Sequence, residues 1–503
     1  MDLHRPPPRL RRWSVRLAVT GTLLLGGMSE VAARTWRITP DGGGDAPTVQ
    51  AGIDSAAAGD VVLLAAGTYT WNEQGGRSGA MLHVALGITL RGESGAASTI
   101  LDAESQGRVL ACSGTAHPVV LEDLAFVNGL APTERLPLAA RRPAGPLAPA
   151  DSHGGAIEVH GVAVPLIRRC IFRNNRAQGG AAHGGAVCCD DATIEDCEFL
   201  GNEAGVSGPT NGFGGAVWCK GARIQRSIFR DNKAWGYEAA RGGAVHSVSA
   251  TIRDCRFEGN RAECPGSPRG GAIEDGGFAA IERCVFRGNG ADGHYFSASG
   301  GAADAGSATL VDCLFVGNFA TCGQGPGQGG ALSGDALAVR RCIFIDNEAK
   351  RTNPLGAGRG GAIFARFHSS IESCTLIGNG AGTADGIGAI HFEEDGTVQS
   401  TIVAFTGPGQ TCSGSGTWRC CDLFANAGGN APCGVDERGN FSADPLLCAA
   451  DPGAQGDVTV RADSPCLAGN RPTSCEDIGA GGAGCVATRV AASTWSELKR
   501  LYR

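Results

Sequence analysis

A recurring block in the middle of the chain constrains its fold more than any other feature. Triplets of the Gly-Gly-Ala type recur every 28 to 31 residues, and a degenerate copy, GIGAI, occupies 386–390. They begin at Gly154, Gly184, Gly214, Gly242, Gly270, Gly300, Gly329 and Gly360. Each triplet alternates with a segment such as IRDCRFEGN at 252–260. A fixed period in this range indicates a solenoid.

The composition of each block identifies the solenoid as a β-structure. Apolar and polar residues alternate with a period of two around Cys-x-Phe and after each glycine pair, and no segment sustains a helical stripe. Short strands with Gly or Asn at the corners can stack coil upon coil, about 4.8 Å apart. We therefore predict an all-β fold, a parallel β-helix.

Equivalent positions of successive coils lie above one another, so the block predicts ladders of like side chains. One inward aromatic ladder contains Phe172, Phe199, Phe229, Phe257, Phe286, Phe315 and Phe344. A corner ladder of amides contains Asn175, Asn202, Asn232, Asn260, Asn289, Asn318, Asn347 and Asn379. Asn suits such a corner because it tolerates left-handed backbone and its amides can bond along the axis.

A third ladder consists of cysteines that share the inward parity of the phenylalanines. It contains Cys170, Cys197, Cys255, Cys284, Cys313, Cys342 and Cys374. Stacked side chains with Cβ atoms about 4.8 Å apart are wider than disulfide geometry favours. We predict buried, reduced thiols rather than a metal or redox site.

The two ends of the chain differ from the repeat. Residues 1–33 combine a basic segment, a short apolar run and Val31-Ala32-Ala33, a pattern typical of a secretory signal peptide. Residues 34–485 are predicted to form the β-helix, with regular repeats over 154–406 and a Pro/Ala-rich excursion at 130–152. A capping-box pattern, Thr494 with Glu497, predicts a helical tail at 486–503 that either docks on the stack or serves as a sorting tag.

Eight cysteines are concentrated between residues 412 and 485, which we expect to form the final coils. They are Cys412, Cys420, Cys421, Cys433, Cys448, Cys466, Cys475 and Cys485. This density is typical of disulfide staples in an exported chain, and zinc-knuckle spacings are absent. The staples would clamp the open end of the stack, but the sequence does not determine their pairing.

Charge and hydrophobicity exclude two classes of partner. The net charge is −7, so a phosphate-binding surface and a nucleic-acid partner are not expected. No stretch after residue 33 is apolar enough to be read as a membrane-spanning helix. The signal-peptide pattern and the cysteine-dense end predict a location outside the cytoplasm, either extracellular or associated with the outer membrane or cell surface.

The repeat resembles that of a known family. GGA followed by a small apolar residue, together with Phe-x-x-Asn, is similar to the repeat of the polymorphic outer membrane proteins, within the pectin-lyase-like superfamily. The resemblance covers about 154–390; GDVVLLAAGTY at 59–69 resembles a first coil, and DSPCLAGN and EDIGA within 463–480 resemble a last coil. It implies a right-handed helix, export and an adhesin-like role at the cell surface.

One row of the repeat carries candidate chemistry. The position two residues after each triplet's Ala is occupied on consecutive coils by Trp218, His246, Glu274 and Asp304. We expect this row to face solvent. Glu274 and Asp304 would then stand about 5 Å apart at their backbones, close enough for an acid/base pair, and Trp218 could stack a sugar ring. The alternative is an ordinary polar row whose acids are neighbours by chance.

Other candidate sites are weaker. His153 and His183 precede the triplet in adjacent blocks and could stack as a metal pair, but Phe213, Arg241 and Arg269 follow them in the same column. Incidental surface histidines are the simpler interpretation. A calcium site using Asp190 or Asp191 matches no loop motif, so no cofactor is predicted.

Two functions remain after these comparisons. The leading hypothesis is an exported, non-catalytic β-helix that binds an extracellular polysaccharide or a cell-surface protein. The alternative is a polysaccharide lyase or glycoside hydrolase that uses the row from Trp218 to Asp304. The fold is compatible with both, because function resides in the site.

Overall fold

A computed structural model describes residues 33–485 except 77–78, 115–116, 133–150, 162–163, 206–210, 354–356, 450–456 and 472–473. The chain divides into two units, Met1–Ala33 and Arg34–Arg503. The predicted signal peptide up to residue 32, the interior of the 130–152 excursion and the predicted tail at 486–503 lie outside the described residues. The statements below concern the second unit.

Three stacks of parallel strands run along the second unit. Sheet 1 contains Thr35–Ile38, Val61–Leu64, Ala80–Val84, Thr89–Gly92, Arg108–Ser113, Val120–Glu122, Ile157–His160, Leu166–Arg168, Val187–Glu195, Val217–Gln225, Val245–Arg253, Ile273–Glu282, Ala303–Val311, Leu332–Arg340, Ile363–Ala365, Ser369–Glu372, Ile387–Gln399, Gln410–Arg419 and Gly434–Asp436. Sheet 2 contains Gly67–Thr70, Thr99–Asp102, Ala125–Val127, Ile171–Arg173, Glu198–Leu200, Ile228–Arg230, Arg256–Glu258, Val285–Arg287, Leu314–Val316, Ile343–Ile345, Thr375–Ile377, Ile402–Ala404 and Asp422–Phe424. Sheet 3 contains Leu130–Ala131, Arg176–Ala177, Glu203–Ala204, Lys233–Trp235, Arg261–Cys264, Gly290–Gly293, Phe319–Cys322 and Glu348–Arg351.

Shorter elements complete the coils. Strands that precede the glycine pairs are Ser152–His153, Ala181–His183, Asn211–Phe213, Ala240–Arg241, Ala298–Ser299 and Gly327–Gln328. Two further strands, Val460–Arg461 and Ala483–Cys485, pair apart from the stacks, and the helices are Val49–Ser55 and Trp71–Gln74. Successive coils pair in parallel, and the prediction of a right-handed parallel β-helix is confirmed.

The glycine pair makes a corner from which side chains are excluded. Gly242 has a φ of 61°, and a Cβ there would lie 2.0 Å from the carbonyl oxygen of Val245. A Cβ on Gly243 would lie 2.1 Å from the carbonyl oxygen of Gly271 in the next coil. Any larger residue would therefore push adjacent coils apart, which explains why the pair recurs.

The aromatic ladder fills the interior of the stack. The rings of Phe172 and Phe199 lie 4.6 Å apart and within 5° of parallel, and the same stacking continues to Phe344. The stack also includes Phe126, which lies one coil before Phe172 at the equivalent position of an opening coil. The cysteines of the third ladder are buried free thiols, and burial raises the pKa of Cys374 to about 12. Thiols with so little thiolate act as small apolar side chains.

The amides of the Asn ladder are bonded from coil to coil. Asn260 donates through Nδ2 to the carbonyl oxygen of Phe229 and to Oδ1 of Asn289, and its own Oδ1 accepts from the backbone and side chain of Asn232. The left-handed residue is the one before each ladder Asn, for example Asp231. The ladder Asn itself is left free to bond inward.

At a second corner, the residues with left-handed backbone have charged side chains instead of amides. Asp and Arg alternate there from coil to coil, and each Arg makes a two-pronged contact with the Asp of the coil before it. Arg226 with Asp196 and Arg283 with Asp254 are two of these pairs. These exposed pairs keep adjacent coils in register and contribute little stability individually.

The two ends of the stack are closed differently. The helix Val49–Ser55 packs Val49 and Ile53 into the apolar core beside the first coil, where we expected only coils. At the other end Trp418 is buried, and its indole N–H donates to the carbonyl oxygen of Cys433.

The Cys-rich region from 412 to 485 has two parts. Strands up to Asp436 continue the coils, whereas the segment around 445–485 folds back along the outer face of sheet 2, where Val458 and Ile478 cover Ile377 and Ile402. Disulfides join Cys412 to Cys433, Cys420 to Cys475 and Cys448 to Cys485. Cys421 and Cys466 are buried free thiols. Of these bonds, Cys420–Cys475 ties the returning segment to the last coils.

Candidate functional site

Two rows of side chains face each other across the glycine corner, and together we call them the seam. The first, the pre-glycine row, contains His153, His183, Phe213, Arg241, Arg269, Ser299, Gln328, Arg359 and Ile387. The second, the acid row, contains Glu158, Cys188, Trp218, His246, Glu274, Asp304, Ser333, Phe364 and His391. Both rows lie outside the main apolar core.

The candidate residues of the acid row are in direct register. Trp218 pairs with His246, His246 with Glu274, and Glu274 with Asp304. Their exposure differs from our expectation of a solvent-facing row, because Glu274 is 3% exposed and Asp304 4%. The glycine corner folds the pre-glycine row over them. In four coils the pre-glycine side chain of the preceding block lies against the acid-row residue, as in the pairs His153–Cys188, His183–Trp218, Phe213–His246 and Arg241–Glu274.

Aromatic rings line the N-terminal half of the seam. His153 and His183 stack at 5.0 Å and His183 and Phe213 at 5.1 Å, while Trp218 meets His183 edge-on at 5.1 Å. The two histidines therefore lie in a half-buried stack that Phe213 extends, and not on an incidental surface. Burial lowers the pKa of His183 to about 4, which keeps its imidazole neutral at pH 7.

Ion pairs line the central part of the seam. Glu274 contacts the imidazole of His246, and Arg241 approaches the same carboxylate at 3.6 Å. In the next coil, burial raises the pKa of Asp304, while the charge of Arg269 and the hydroxyl of Ser299 oppose that shift. Two carboxyl groups on adjacent coils thus occupy different environments. Glu274 is ion-paired, whereas burial raises the pKa of Asp304.

The N-terminal end of the seam holds another buried ion pair. Arg108 contacts Glu158, and both side chains are almost fully buried. His160 meets the other oxygen of Glu158 at 2.8 Å, and the thiol of Cys188 lies 3.8 Å from Nδ1 of His153. The charge of the buried Glu158 carboxylate is therefore balanced by Arg108.

Polar atoms without a partner are concentrated along the seam. Among the described residues, eleven buried side-chain nitrogens and oxygens make no hydrogen bond. Seven belong to the seam, and two of these, on His246 and Glu274, form the ion pair already described. The other five are His183 Nδ1, Arg241 Nε, Asp304 Oδ2, Ser333 Oγ and His391 Nδ1. Buried polar groups are nearly always satisfied by protein, water or ligand, so these five atoms are candidates to contact water or a ligand.

Two features beside the seam belong to the interior. Asp275, next to Glu274, points into the core, where it accepts hydrogen bonds from Ser247 Oγ at 2.6 Å and from the backbone of Gly277 at 3.0 Å. In the same inward row, Cys189 and Cys219 of adjacent coils form a disulfide, with Cα atoms 5.0 Å apart. This disulfide was not predicted from the sequence, because the Cβ atoms of cysteines stacked in adjacent coils were expected to lie too far apart to form one.

The arginines of the pre-glycine row were also missed as site residues. Arg241 and Arg269 were read only as interruptions of a histidine column, yet they cover the two central acids. The sequence contains one signal that could have identified them. In each block, the residue before the triplet lies five positions before the acid-row residue. Periodicity reveals that spacing but not that the two rows face each other.

The described part of the chain contains neither a cluster of metal-binding side chains nor a membrane-spanning helix. Asp190 forms an ion pair with Lys220. Within residues 33–485, outside the gaps, no group of three or more His, Cys, Asp or Glu is arranged to hold a metal ion. In the same described part of the chain, no helix has the length and apolar character needed to cross a bilayer.

Comparison with known families supports the class of protein that the fold defines. Residues 152–336 match the family described as right handed beta helix region, which supports a place in the right-handed β-helix superfamily. A search of curated proteins found no match. The disulfides are typical of an oxidising compartment.

Several solved structures resemble the chain distantly. A mannuronic acid specific polysaccharide family 6 lyase from human gut microbiota is 12% identical, with coverage of 77% of this chain and 87% of that chain and a TM-score of 0.36. The A-module of the mannuronan C-5 epimerase AlgE4 of Azotobacter vinelandii is 12% identical, with coverage of 82% and 81% and a TM-score of 0.19. The PL6 family alginate lyase AlyGC is 8% identical, with coverage of 78% and 70% and a TM-score of 0.20. At these scores the likeness carries no argument about activity.

Proposed function

We propose that the protein is an exported, non-catalytic β-helix that binds extracellular glycans along the seam. The observation that carries this proposal is the concentration of unpartnered buried polar atoms beside aromatic rings. The predicted signal peptide and the disulfides support export. The resemblance of the repeat to that of polymorphic outer membrane proteins supports an adhesin-like role at the cell surface.

The chemistry of the seam suits a carbohydrate. A sugar ring combines apolar faces with a rim of hydroxyl groups, and it needs flat rings and polar atoms in the same place. Phe213 and Trp218 are half-buried and offer such rings. Arg241 and Asp304, on the coils that follow, place polar side chains beside these rings. Binding sites typically combine an apolar lining with a few converging polar groups of this kind.

The repetition of the seam suits a polymer. Equivalent positions recur once per coil, about 4.8 Å apart along the axis, so a chain of like units can meet like groups in succession. From His153 to His391 the two rows continue without a break in register. A long, shallow surface of this type can contact several units at once.

We expect the purified mature chain to retain at least one polysaccharide from a panel of neutral and acidic polymers, and Trp218→Ala to weaken that binding about tenfold or more. The reason is that the variant removes a half-buried aromatic face from the seam. Affinity electrophoresis and calorimetry measure the effect.

Phe278→Ala is the matched control, since it removes an exposed aromatic ring that lies outside the seam. It should leave the affinity unchanged, and thermal unfolding should verify that both variants fold. If the wild-type chain retains no polymer in the panel, or if both variants weaken binding equally, the seam is not a glycan-binding site.

A second candidate function is cleavage of the bound glycan by a polysaccharide lyase or glycoside hydrolase. It is favoured by the two in-register carboxyl groups, of which Glu274 is ion-paired and Asp304 has a pKa raised by burial. Such a difference in environment is what separates a general base from a general acid. On this hypothesis His246 would share a proton with Glu274.

Product release from the retained polymer, followed by mass spectrometry, distinguishes the two functions. The non-catalytic proposal predicts no product from the wild-type chain over prolonged incubation. Product that disappears in both Glu274→Gln and Asp304→Asn would establish the enzyme instead. Product that survives both changes would indicate a contaminant or a different site.

A further inference from the structure

We infer that the outer face of sheet 1 binds a second copy of this chain, with the two stacks antiparallel. The inference does not depend on the proposed function. Two outward rows form this face, and no member of either row is buried. The first, the charged row, contains Glu195, Gln225, Arg253, Glu282, Val311, Arg340, Glu372, Gln399 and Arg419. The second, the small row, contains Thr193, Arg223, Thr251, Ala280, Thr309, Ala338, Ser370, Thr397 and Thr417.

The signs of the charged row reverse about its middle member, Val311. Each charged residue has a counterpart of opposite sign at the same number of coils on the other side of Val311. The residues so related are Glu282 and Arg340, Arg253 and Glu372, and Glu195 and Arg419, while Gln225 corresponds to Gln399. The row is therefore complementary to its own reversed copy.

A twofold axis through Val311 would use this complementarity. In a symmetric dimer, residue i of one copy contacts residue j of the other, and j contacts i. With the axis in the plane of the face and perpendicular to the stack, each coil before Val311 meets the partner's coil at the same distance after it. Every acid of the charged row then faces an arginine. An axis parallel to the stack would instead set each charge opposite its own copy, so electrostatics selects the antiparallel arrangement.

The ion pairs within each chain are compatible with this contact. Arg253 contacts Glu282 at 3.2 Å and Arg340 contacts Glu372 at 3.0 Å, and all four side chains are at least 30% exposed. In the dimer the first pair faces the partner's second pair, so opposite charges are adjacent both along and across the stacks. A guanidinium group has five donors and can contact a second carboxylate. Exclusion of water by the partner strengthens such contacts relative to an isolated surface pair.

The small row allows the two faces to approach closely. Its corresponding members are alike in three cases, namely Ala280 and Ala338, Thr251 and Ser370, and Thr193 and Thr417. Beside this row, the exposed ring of Phe278 corresponds to Ala336, a small side chain that leaves room for it. Phe278 is not a member of the seam, so the affinity of one chain for a glycan does not depend on it.

The area of the face is sufficient for a stable dimer. Its nine coils, about 4.8 Å apart, extend over about 38 Å, and its outward rows span about 17 Å of each strand. The contact would bury roughly 650 Å² on each copy, or about 1,300 Å² in total, which lies within the range of specific interfaces.

Charge reversal with recovery on mixing tests the inference. Sedimentation velocity of the mature chain at about 20 µM should show a species of twice the mass of one chain. Arg253→Glu/Arg340→Glu and, separately, Glu282→Arg/Glu372→Arg place like charges at four contacts, so each should weaken self-association about a hundredfold or more. An equimolar mixture of the two variants has opposite charges at all four contacts and should recover association to within about tenfold of the wild type. Mixing cannot repair ion pairs within a chain, so recovery identifies contacts between copies.

Arg176→Glu/Arg230→Glu is the matched control, because it makes the same change in net charge and breaks exposed ion pairs on sheets 3 and 2. It should associate as the wild type does, and thermal unfolding verifies that each variant folds. Val311→Glu brings two carboxylates together on the axis and should weaken association about tenfold or more. A wild-type chain that is monomeric up to about 100 µM, unchanged association in the sheet 1 variants, no recovery on mixing, or equal loss in the control would each overturn the inference. None of these results bears on glycan binding by the seam.

Discussion

Replacing Asp422 by Asn should raise the free energy of unfolding by about 2–4 kcal/mol at pH 8 and by almost nothing at pH 4. Asp422 is fully buried where the last coils meet the returning segment. Its Oδ1 accepts from the backbone N–H of Ala443 at 3.1 Å and its Oδ2 from the thiol of Cys466 at 3.3 Å. An Asn side chain can keep both contacts, because its oxygen accepts and its nitrogen donates to sulfur.

The pH dependence follows from the raised pKa of this carboxyl group. Burial, aided by Asp444, raises the pKa of Asp422 to about 7, and the hydrogen bonds from Ala443 and Cys466 together with the charge of Arg471 only partly oppose this shift. In the unfolded chain an Asp ionises at about pH 4. Between these two values the unfolded state loses its proton and the native state retains it. Stability therefore falls as the pH rises from about 4 to about 7, and it levels off above that.

Thermal and denaturant unfolding of the wild-type chain and Asp422→Asn at pH 4, 6 and 8 measures this difference. Asp463→Asn is the control, since Asp463 is half-exposed and pairs with Arg461 at the surface. Its profile should follow that of the wild type within about 0.5 kcal/mol. If the free energy of unfolding changes with pH equally in Asp422→Asn and in the wild type, Asp422 is ionised in the native state at neutral pH.

Replacing Asn260 by Ala should lower the free energy of unfolding by about 2–6 kcal/mol. The change removes the two hydrogen bonds that Asn260 donates and the acceptor for two donors of Asn232. Both residues are fully buried, so water cannot replace the lost partners. In a solenoid each coil is supported by its neighbours, and a break in mid-stack weakens the contact on both sides.

Guanidinium unfolding followed by circular dichroism measures the loss. Glu258→Ala is the control, because Glu258 lies two residues away on the same coil and forms an exposed ion pair with Arg230 at 2.8 Å. It should cost less than about 1 kcal/mol. If Asn260→Ala is no more destabilising than the control, the ladder contributes no stability beyond that of an ordinary surface pair.

The amino-acid sequence was sufficient to predict the solenoid because its information is local and repeated. The inward position of Phe257, the corner position of Asn260 and the need for Gly242 and Gly243 each follow from a rule about one residue type in one conformation, and every block repeats it. Repetition also places equivalent residues in adjacent coils, so the register of Glu274 with Asp304 could be predicted as well.

The exposure of the candidate site could not be predicted in the same way. Alternation along the strand predicts that Glu274 points away from the core. The pre-glycine side chain that covers it, Arg241, belongs to the preceding coil. The angle of the glycine corner brings the two rows together, and no periodic pattern encodes that angle. The same limit applies to the segment that returns over sheet 2 and to the disulfide partners within it.

By itself, the sequence determined that this protein is a parallel β-helix with aromatic, amide and thiol ladders, because stacking makes each coil a copy of its neighbour. Only the tertiary structure decided that the acid row is buried in a seam, that Arg241 and Arg269 cover its acids, and that Asp422 is enclosed by the returning segment. Those features depend on the angle of the glycine corner and on the path of the returning segment over sheet 2, and the period of the sequence encodes neither.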